Sequence, residues 1–360
     1  MTKKWKLLAA GLCAALTLTG CGTEEKQSSE NNNSKYAKLS SVELILADSA
    51  GKGAAGELFD RSFAKHLEKI TDGKIKVDFH PNGDLGNDVD LIRQLKNGDI
   101  DMVGSQIAAW ASFIPQTAVF DYPMLFANYS GDAINEVLNG DTKTHAALEK
   151  AFNAAGFELI GMEQNATFRM TTSNKPLNKL EDFKGLKIRT MENKNHMDFW
   201  SSIGASPTPL AFGELYIALQ NGTVDAEENA SDTIEGVNFN EVQKYLEDTK
   251  HILYMNQIVM NKAKYDALAP EYKDAVKQAT KEALEEMRPQ MEKTDQEARA
   301  RLEKKGMKQI QYTKEFFDQV LALPSVKDLY KKIDTQVGDL GQTMKKDLED
   351  AAQKYPRGKK

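Results

Sequence analysis

Two residues in this chain are suited to gripping an anion, and each closes a short apolar run. Arg189 ends Leu186-Lys187-Ile188-Arg189, and Asn229 ends the run that begins Val224-Asp225-Ala226. A guanidinium is a planar fork that donates two parallel, charge-assisted hydrogen bonds to one carboxylate, a geometry that lysine cannot match. Ligands of open α/β sheets lie beyond the carboxyl ends of the strands, so Arg189 and Asn229 would point to one place. The chemistry implied is capture of a carboxylate. The other reading of a strand-end arginine is a structural ion pair on the rim of a sheet, and spacing alone leaves both open.

No catalytic constellation competes with that reading. The five histidines, His66, His80, His145, His196 and His251, show no metal-ligand spacing. There is no G-x-S-x-G and no phosphate loop carrying lysine with serine or threonine. Many carboxylates are present, but no spacing singles out a pair. Gly51-Lys52-Gly53-Ala54-Ala55-Gly56 follows a strand and precedes a helix, with Asp78 about twenty residues on, which is the dinucleotide fingerprint. The alternative is a glycine-rich turn in any doubly wound sheet. The export leader decides for the turn, since nicotinamide cofactors are not available outside the cytoplasm. No cofactor and no metal are expected.

That leader is Lys3-Lys4-Trp5-Lys6 followed by an apolar run from Leu7 to Leu18, too short to span a bilayer as a stable helix. Leu18-Thr19-Gly20-Cys21 resembles the bacterial lipobox, in which cleavage leaves Cys21 as a lipidated first residue. Cys13 falls in the discarded segment, so the mature domain has no disulfide, thiolate nucleophile or cysteine metal site. Three of the 47 basic side chains are in the leader, so 44 face 53 acidic ones and the mature chain carries about −9. This argues against nucleic acid or an anionic membrane surface as partner. It does not argue against an anionic small ligand, whose pocket is set by two or three residues.

The elements that must position the candidates follow from periodicity. Residues 22–38 are polar and repetitive and read as a tether. Strands are expected at 42–47, 74–78, 100–104, 157–162 and 166–174, with helices at 57–70 and 87–97 and one or two more over 132–155. Gly185 to Asn229 reads as strand, helix, turn, short helix, strand, with Pro207 and Pro209 holding the chain extended. His251 to Met260 is an apolar strand that could cross back to the first domain. Pro270 to Lys305 predicts a helix of about 50 Å with Pro289 as a kink, and 316–355 further amphipathic helices. Trp110 reads as a core or rim aromatic ahead of a ligand platform.

The stretch G-L-K-I-R, G-A-S-P-T-P-L-A-F, G-E-L-Y-I-A-L-Q-N-G and V-D-A-E-E-N over 185–229 resembles the signature of the solute-binding subunits of tripartite ATP-independent periplasmic (TRAP) transporters of the dicarboxylate-binding type. Met191, Glu227 and Ala230 stand where that family carries proline, glutamine and proline. Phe239 to Tyr245 resembles a family helix. The resemblance implies that Arg189 binds the ligand carboxylate and that Arg169, before Thr171-Thr172-Ser173-Asn174, supports it. It implies that Asn229 completes the site and that Phe212 packs on the ligand, with Ser49, Asp88 and Gln106 as candidates from the first lobe. Gln106 and Ala109 replace the acid and arginine of the sialic-acid branch, which argues against that ligand.

The fold implied is a two-lobed, periplasmic-binding-protein-like α/β architecture: two mixed-sheet domains, a hinge, and a long helix bracing both. The domains expected are a leader at 1–20, a tether at 21–40, lobe I at 41–165 plus about 255–294, lobe II at 166–254 plus about 295–350, and a basic tail at 351–360. The function implied is a monomeric, lipid-anchored extracytoplasmic receptor, not an enzyme. It would take a C4-dicarboxylate, sugar acid or similar acid and deliver it to small and large integral membrane permease subunits. Two alternatives are a ligand-sensing partner of a signalling kinase, separable by neighbouring genes, and an exported enzyme on a similar fold, separable by turnover.

Overall fold

Short apolar runs bounded by turn residues alternate with amphipathic stretches, and the backbone follows that alternation. The structure, a computed structural model, describes residues 34–357. The leader and Cys21 lie outside the described residues. The expected tether ends before residue 40, because Tyr36 is buried and stacks on Tyr272 with ring centroids 5.8 Å apart.

Eleven strands form two sheets among the described residues. They are β1 (Val42–Asp48), β2 (Ile75–His80), β3 (Met102–Gln106), β4 (Phe157–Phe168), β5 (Met170–Ser173), β6 (Lys187–Thr190), β7 (Ser206–Pro209), β8 (Ala226–Asn229), β9 (Tyr245–Glu247), β10 (Leu253–Asn261) and β11 (Lys308–Ile310). The first sheet has the order β2-β1-β3-β10-β4 and the second β11-β9-β5-β8-β6-β7. β1 is parallel to β2 and β3, while β10 runs antiparallel to β3 and β4. In the second sheet β6 is parallel to β7 and β8, and β5 is antiparallel to β8 and β9. Both sheets are therefore mixed, in the two-body α/β fold expected.

The strand from His251 does cross back: β10 is inserted between β3 and β4 and buried along almost its whole length, as a strand covered on both faces must be. The chain passes from the first sheet to the second at Arg169 and returns through Asp248 to Ile252. These two crossings lie side by side, joined by the Arg169 N–H donating to the Ile252 carbonyl at 2.9 Å.

The helix Pro270–Lys304 is continuous through Pro289 and touches both bodies. In its first half Ala275, Ala279 and Ala283 pack where Phe59 and Phe63 descend, and at its middle Glu286 accepts from Ser62 at 2.8 Å. Toward its end Arg301 pairs with Glu235 at 2.8 Å and Arg299 with Asp248 at 3.5 Å.

Two expectations change, and one open between alternatives is resolved. Residues 239–245 form no regular helix: a short 3-10 turn (Phe239–Glu241) leads into β9, because Lys244 N–H bonds the Ser173 carbonyl and draws the chain onto the sheet edge. The stretch 132–155, expected as one or two helices, is two, Gly131–Asn139 and Lys143–Ala154, the second capped by Thr142. The helix Asp339–Lys354, expected with the second lobe as far as residue 350, packs on those two instead. Asp347 accepts from both the N–H and the hydroxyl of Thr144 at 2.8 and 2.7 Å, and Lys354 pairs with Glu136 at 3.0 Å.

Candidate functional site

Four strand ends converge between the sheets. β1 ends at Asp48, followed by Ser49, and β3 ends at Gln106. Opposite them, β6 carries Arg189 one residue from its end and β8 ends at Asn229. These side chains line one cavity of about 560 Å³. Its floor and walls also include Asp88, Phe212, Leu210, Met191, Tyr254 and Asn256. A second, larger concavity of about 830 Å³ lies between the long helix and β4. It receives no strand end, and several of its charges are already matched: Arg288 pairs with Asp132, and His145 approaches Glu149 at 3.4 Å.

Arg189 is buried at 3% exposure, yet no carboxylate among the described residues comes within ion-pair distance of it. Its Nε and Nη2 donate to the Leu210 carbonyl at 3.0 and 2.7 Å, which fixes the guanidinium plane. Among the described residues Nη1 has no hydrogen-bond partner. The Phe212 ring lies 6.0 Å from the guanidinium carbon and packs edge-on against Phe239. Burial pulls the Arg189 acid constant down to about 10, against the fields of Glu228, Glu227 and Asp88, so the cation persists at neutral pH.

Arg169 sits behind the cavity wall and does not line it. It is 1% exposed, and Nη1 pairs with Glu228 at 3.2 Å and bonds the Glu228 carbonyl at 2.9 Å. Nη2 donates to Gln106 Oε1 and to Met191 Sδ. Its guanidinium also lies 5.4 Å from the Tyr254 ring centre. The two readings of a strand-end arginine are thus divided between two residues: Arg169 has the structural ion pair, and Arg189 has none.

Glu228 anchors the rest of this buried charge. It lies 3.0 Å from His251 Nε2 and 3.7 Å from His196 Nδ1, and His196 Nε2 is 3.2 Å from Asp121. Burial alone would raise the Glu228 carboxyl, but Arg169 and the two histidines hold it well below the usual range. His196, despite burial, is raised to about 9 by Asp121 and Glu228. His251 is lowered by burial.

The remaining candidates fall on the cavity. Asn229 Nδ2 donates to Glu227 at 2.7 Å, a bond that orients its amide; Glu227 is raised to about 7 by burial. Ser49 donates to Asp88 Oδ1 at 2.5 Å, and burial raises the Asp88 carboxyl against the pull of Ser49 and Arg189. Asp88 is held there because Asn87 caps the helix Asp88–Asn97 and Gly98, at φ 82°, closes it. Trp110 is core: it is fully buried, donates to Ser105 at 2.8 Å and packs against Phe152 and Phe157. Residues that sequence reasoning passed over are Asp48, Asn256, Tyr254 and Leu210. Asp48 had a signal, since it closes the first apolar run; Asn256 in the middle of an apolar strand had none.

With this geometry in view, comparison with known proteins is decisive for ancestry. Residues 52–334 match the bacterial extracellular solute-binding protein family 7. A solute-binding protein of Roseobacter denitrificans is 32% identical over 276 residues, covering 76% of this chain and 83% of that one. The galactonate-bound sugar acid binding protein of Advenella mimigardefordensis superposes with a TM-score of 0.80 at 25% identity, over 87% of this chain and 99% of that one. A TRAP periplasmic solute binding protein of Polaromonas sp. JS666, bound to D-erythronate, gives 0.77 at 28% identity, over 84% and 98%. The matching arrangement of two sheets around a cleft, together with the family match over most of the chain, means that this protein belongs to family 7 of the bacterial extracellular solute-binding proteins, the solute-binding components of TRAP transporters.

Proposed function

We propose that this protein is a lipid-anchored extracytoplasmic receptor that captures a small organic acid and hands it to a TRAP-type membrane permease. The ligand class is a C4-dicarboxylate, a sugar acid or a similar carboxylate. The observation that carries the reading is the buried Arg189 guanidinium, with no carboxylate in ion-pair range and with Nη1 free among the described residues. A buried cation normally has a partner, and an exogenous carboxylate supplies it here. Arg169 positions Gln106 and Met191 from behind, Asn229 and Phe212 shape the second wall, and Ser49, Asp88 and Gln106 complete the shell from the first. Bending at the paired crossings near Arg169 and Ile252 would close the two bodies on the ligand. Exclusion of water then strengthens the ion pair. The galactonate and D-erythronate complexes of relatives support an acid as ligand.

A thermal-shift screen of organic acids tests the reading. A ligand at a hundred times its dissociation constant should stabilise the fold by about 2.7 kcal/mol. Calorimetry on the acid found should show no binding for Arg189→Ala and poor binding for Arg189→Lys, which retains charge without the fork. Near-normal affinity in Arg189→Lys would remove the bidentate argument. The anchor is tested separately: Cys21→Ser should move the protein from the membrane fraction to the soluble one.

A further inference from the structure

The cavity is charged unevenly, and the unevenness bears on what the far end of the ligand can be. Among the described residues that line it, Arg189 is the one cation, whereas Asp48, Asp88, Asp90 and Glu192 are all carboxyl groups. Asp90 is tied to Asn87 at 2.6 Å and to Arg93 at 3.4 Å, and Glu192 is exposed. Asp88 differs from both. It is half-buried, no cation lies within ion-pair range of it among the described residues, and its Oδ1 takes only the Ser49 hydroxyl. Its Oδ2 has no partner among the described residues. The first wall therefore offers an uncommitted carboxylate oxygen, and the second an uncommitted guanidinium nitrogen.

Resting on the reading of Arg189 as the carboxylate clamp, we infer that the ligand is a monocarboxylate whose other end is a hydrogen-bond donor, a hydroxyl or an ammonium, and that Asp88, oriented by Ser49, is the residue that selects it. A second carboxylate would meet Asp88 with no cation left to neutralise it. Like charges in a water-poor cleft repel strongly. A donor group finds the reverse: two aspartates, with the Asn256 side chain also on the cavity wall.

The test is calorimetry on the intact mature protein with matched acids: galactonate against galactarate, which differ only at the terminal carbon, and 4-aminobutyrate against succinate. The monocarboxylate of at least one pair should bind about tenfold or more tightly than its dicarboxylate, and the pair that does so tells hydroxyl from ammonium. Asp88→Asn, checked for folding by its melting curve, should narrow that ratio severalfold by admitting the dicarboxylate. A dicarboxylate that binds as tightly as its partner in both pairs overturns the inference and leaves the arginine clamp standing. A ratio unchanged in Asp88→Asn overturns the assignment of Asp88. No heat from these four acids, together with no stabilisation by any acid of the wider screen, overturns the clamp as well.

Discussion

Arg169 and Arg189 are the same residue type, buried to the same degree, with opposite energetics. Arg169 neutralises Glu228 at 3.2 Å inside a network that includes two histidines, so removing it strands a buried carboxylate. Breaking one side of such a pair costs about 3–5 kcal/mol. Arg189 has no carboxylate to strand; Arg189→Met loses the two bonds to the Leu210 carbonyl, about 1–2 kcal/mol, and removes an unpaired buried charge in exchange. Urea unfolding of the ligand-free protein should therefore show Arg169→Met to be severely destabilised and Arg189→Met only mildly so, although only the second would abolish binding through direct loss of the clamp. Equal losses in the two variants would mean that Arg189 has a structural partner after all. Of this contrast, only a strand-end Arg189 and a second arginine, Arg169, ahead of Thr171-Thr172-Ser173-Asn174 were legible beforehand. Glu228, which decides between them, reads in sequence as one acid among 53, because its partners Arg169, His196 and His251 come together only through tertiary folding.

At the scale of elements, the helix Ala55–Ile70 lacks a cap of its own. Ala54 at its N-cap has no side-chain acceptor, and the Ala55 N–H is taken at 3.1 Å by Asp232, which follows β8 of the other sheet. A bond that joins the two bodies forms only when they are together. Asp232→Ala should therefore lower stability by about 1 kcal/mol, the usual value of a cap, and weaken ligand binding about fivefold if the bond is made on closure. Unchanged affinity beside lowered stability would confine Asp232 to holding the helix. The same junction explains why Gly51 to Gly56 mimics a nucleotide loop. A Cβ on Gly56 would come within 2.9 Å of the Asn256 amide, so the glycine serves a close approach of helix to β10 at the cavity wall. Long elements were legible because a run of apolar residues at period two or 3.6 states its own structure. The short strands β7, β9 and β11, three or four residues each, were not. Hydrogen bonds from distant segments make them, and nothing in Ser206-Pro207-Thr208-Pro209 or Lys308-Gln309-Ile310 announces a partner.

Over the whole molecule, buried ionisable groups make stability depend on pH in a definite direction. Burial raises Glu163 and Glu247 to about 8 and Asp48 to about 7, and it holds Asp60 well above the usual range. Among the described residues Glu163 Oε1 and Glu247 Oε2 have no hydrogen-bond partner, as fits carboxyls that keep a proton in the fold, and Asp48 and Asp60 bond to each other, which two carboxyls do only by sharing a proton. Between the ordinary value of 4.5 for a glutamate and the folded value of about 8, the native state holds a proton that the unfolded chain has released. Stability then falls as pH rises through that window, by about 1.4 kcal/mol per pH unit for each proton. His196, raised from 6.5 to about 9 by Asp121 and Glu228 against its burial, adds the same sign between those values. Glu228 works in the opposite sense: its folded value is depressed, so its stabilisation is present above 4.5 and is lost as pH falls through the depressed value. The melting temperature of the ligand-free protein should consequently peak near pH 5 and decline toward pH 9, by linkage. Glu163→Gln should flatten the decline between about pH 4.5 and 8, raising the melting temperature at pH 8 while leaving it nearly unchanged at pH 5, since only above its unfolded value does the native carboxyl hold the extra proton. A profile that is level or rising from pH 5 to 9 would show that these carboxyls are ionised in the fold, and that enough water reaches them to solvate the charge.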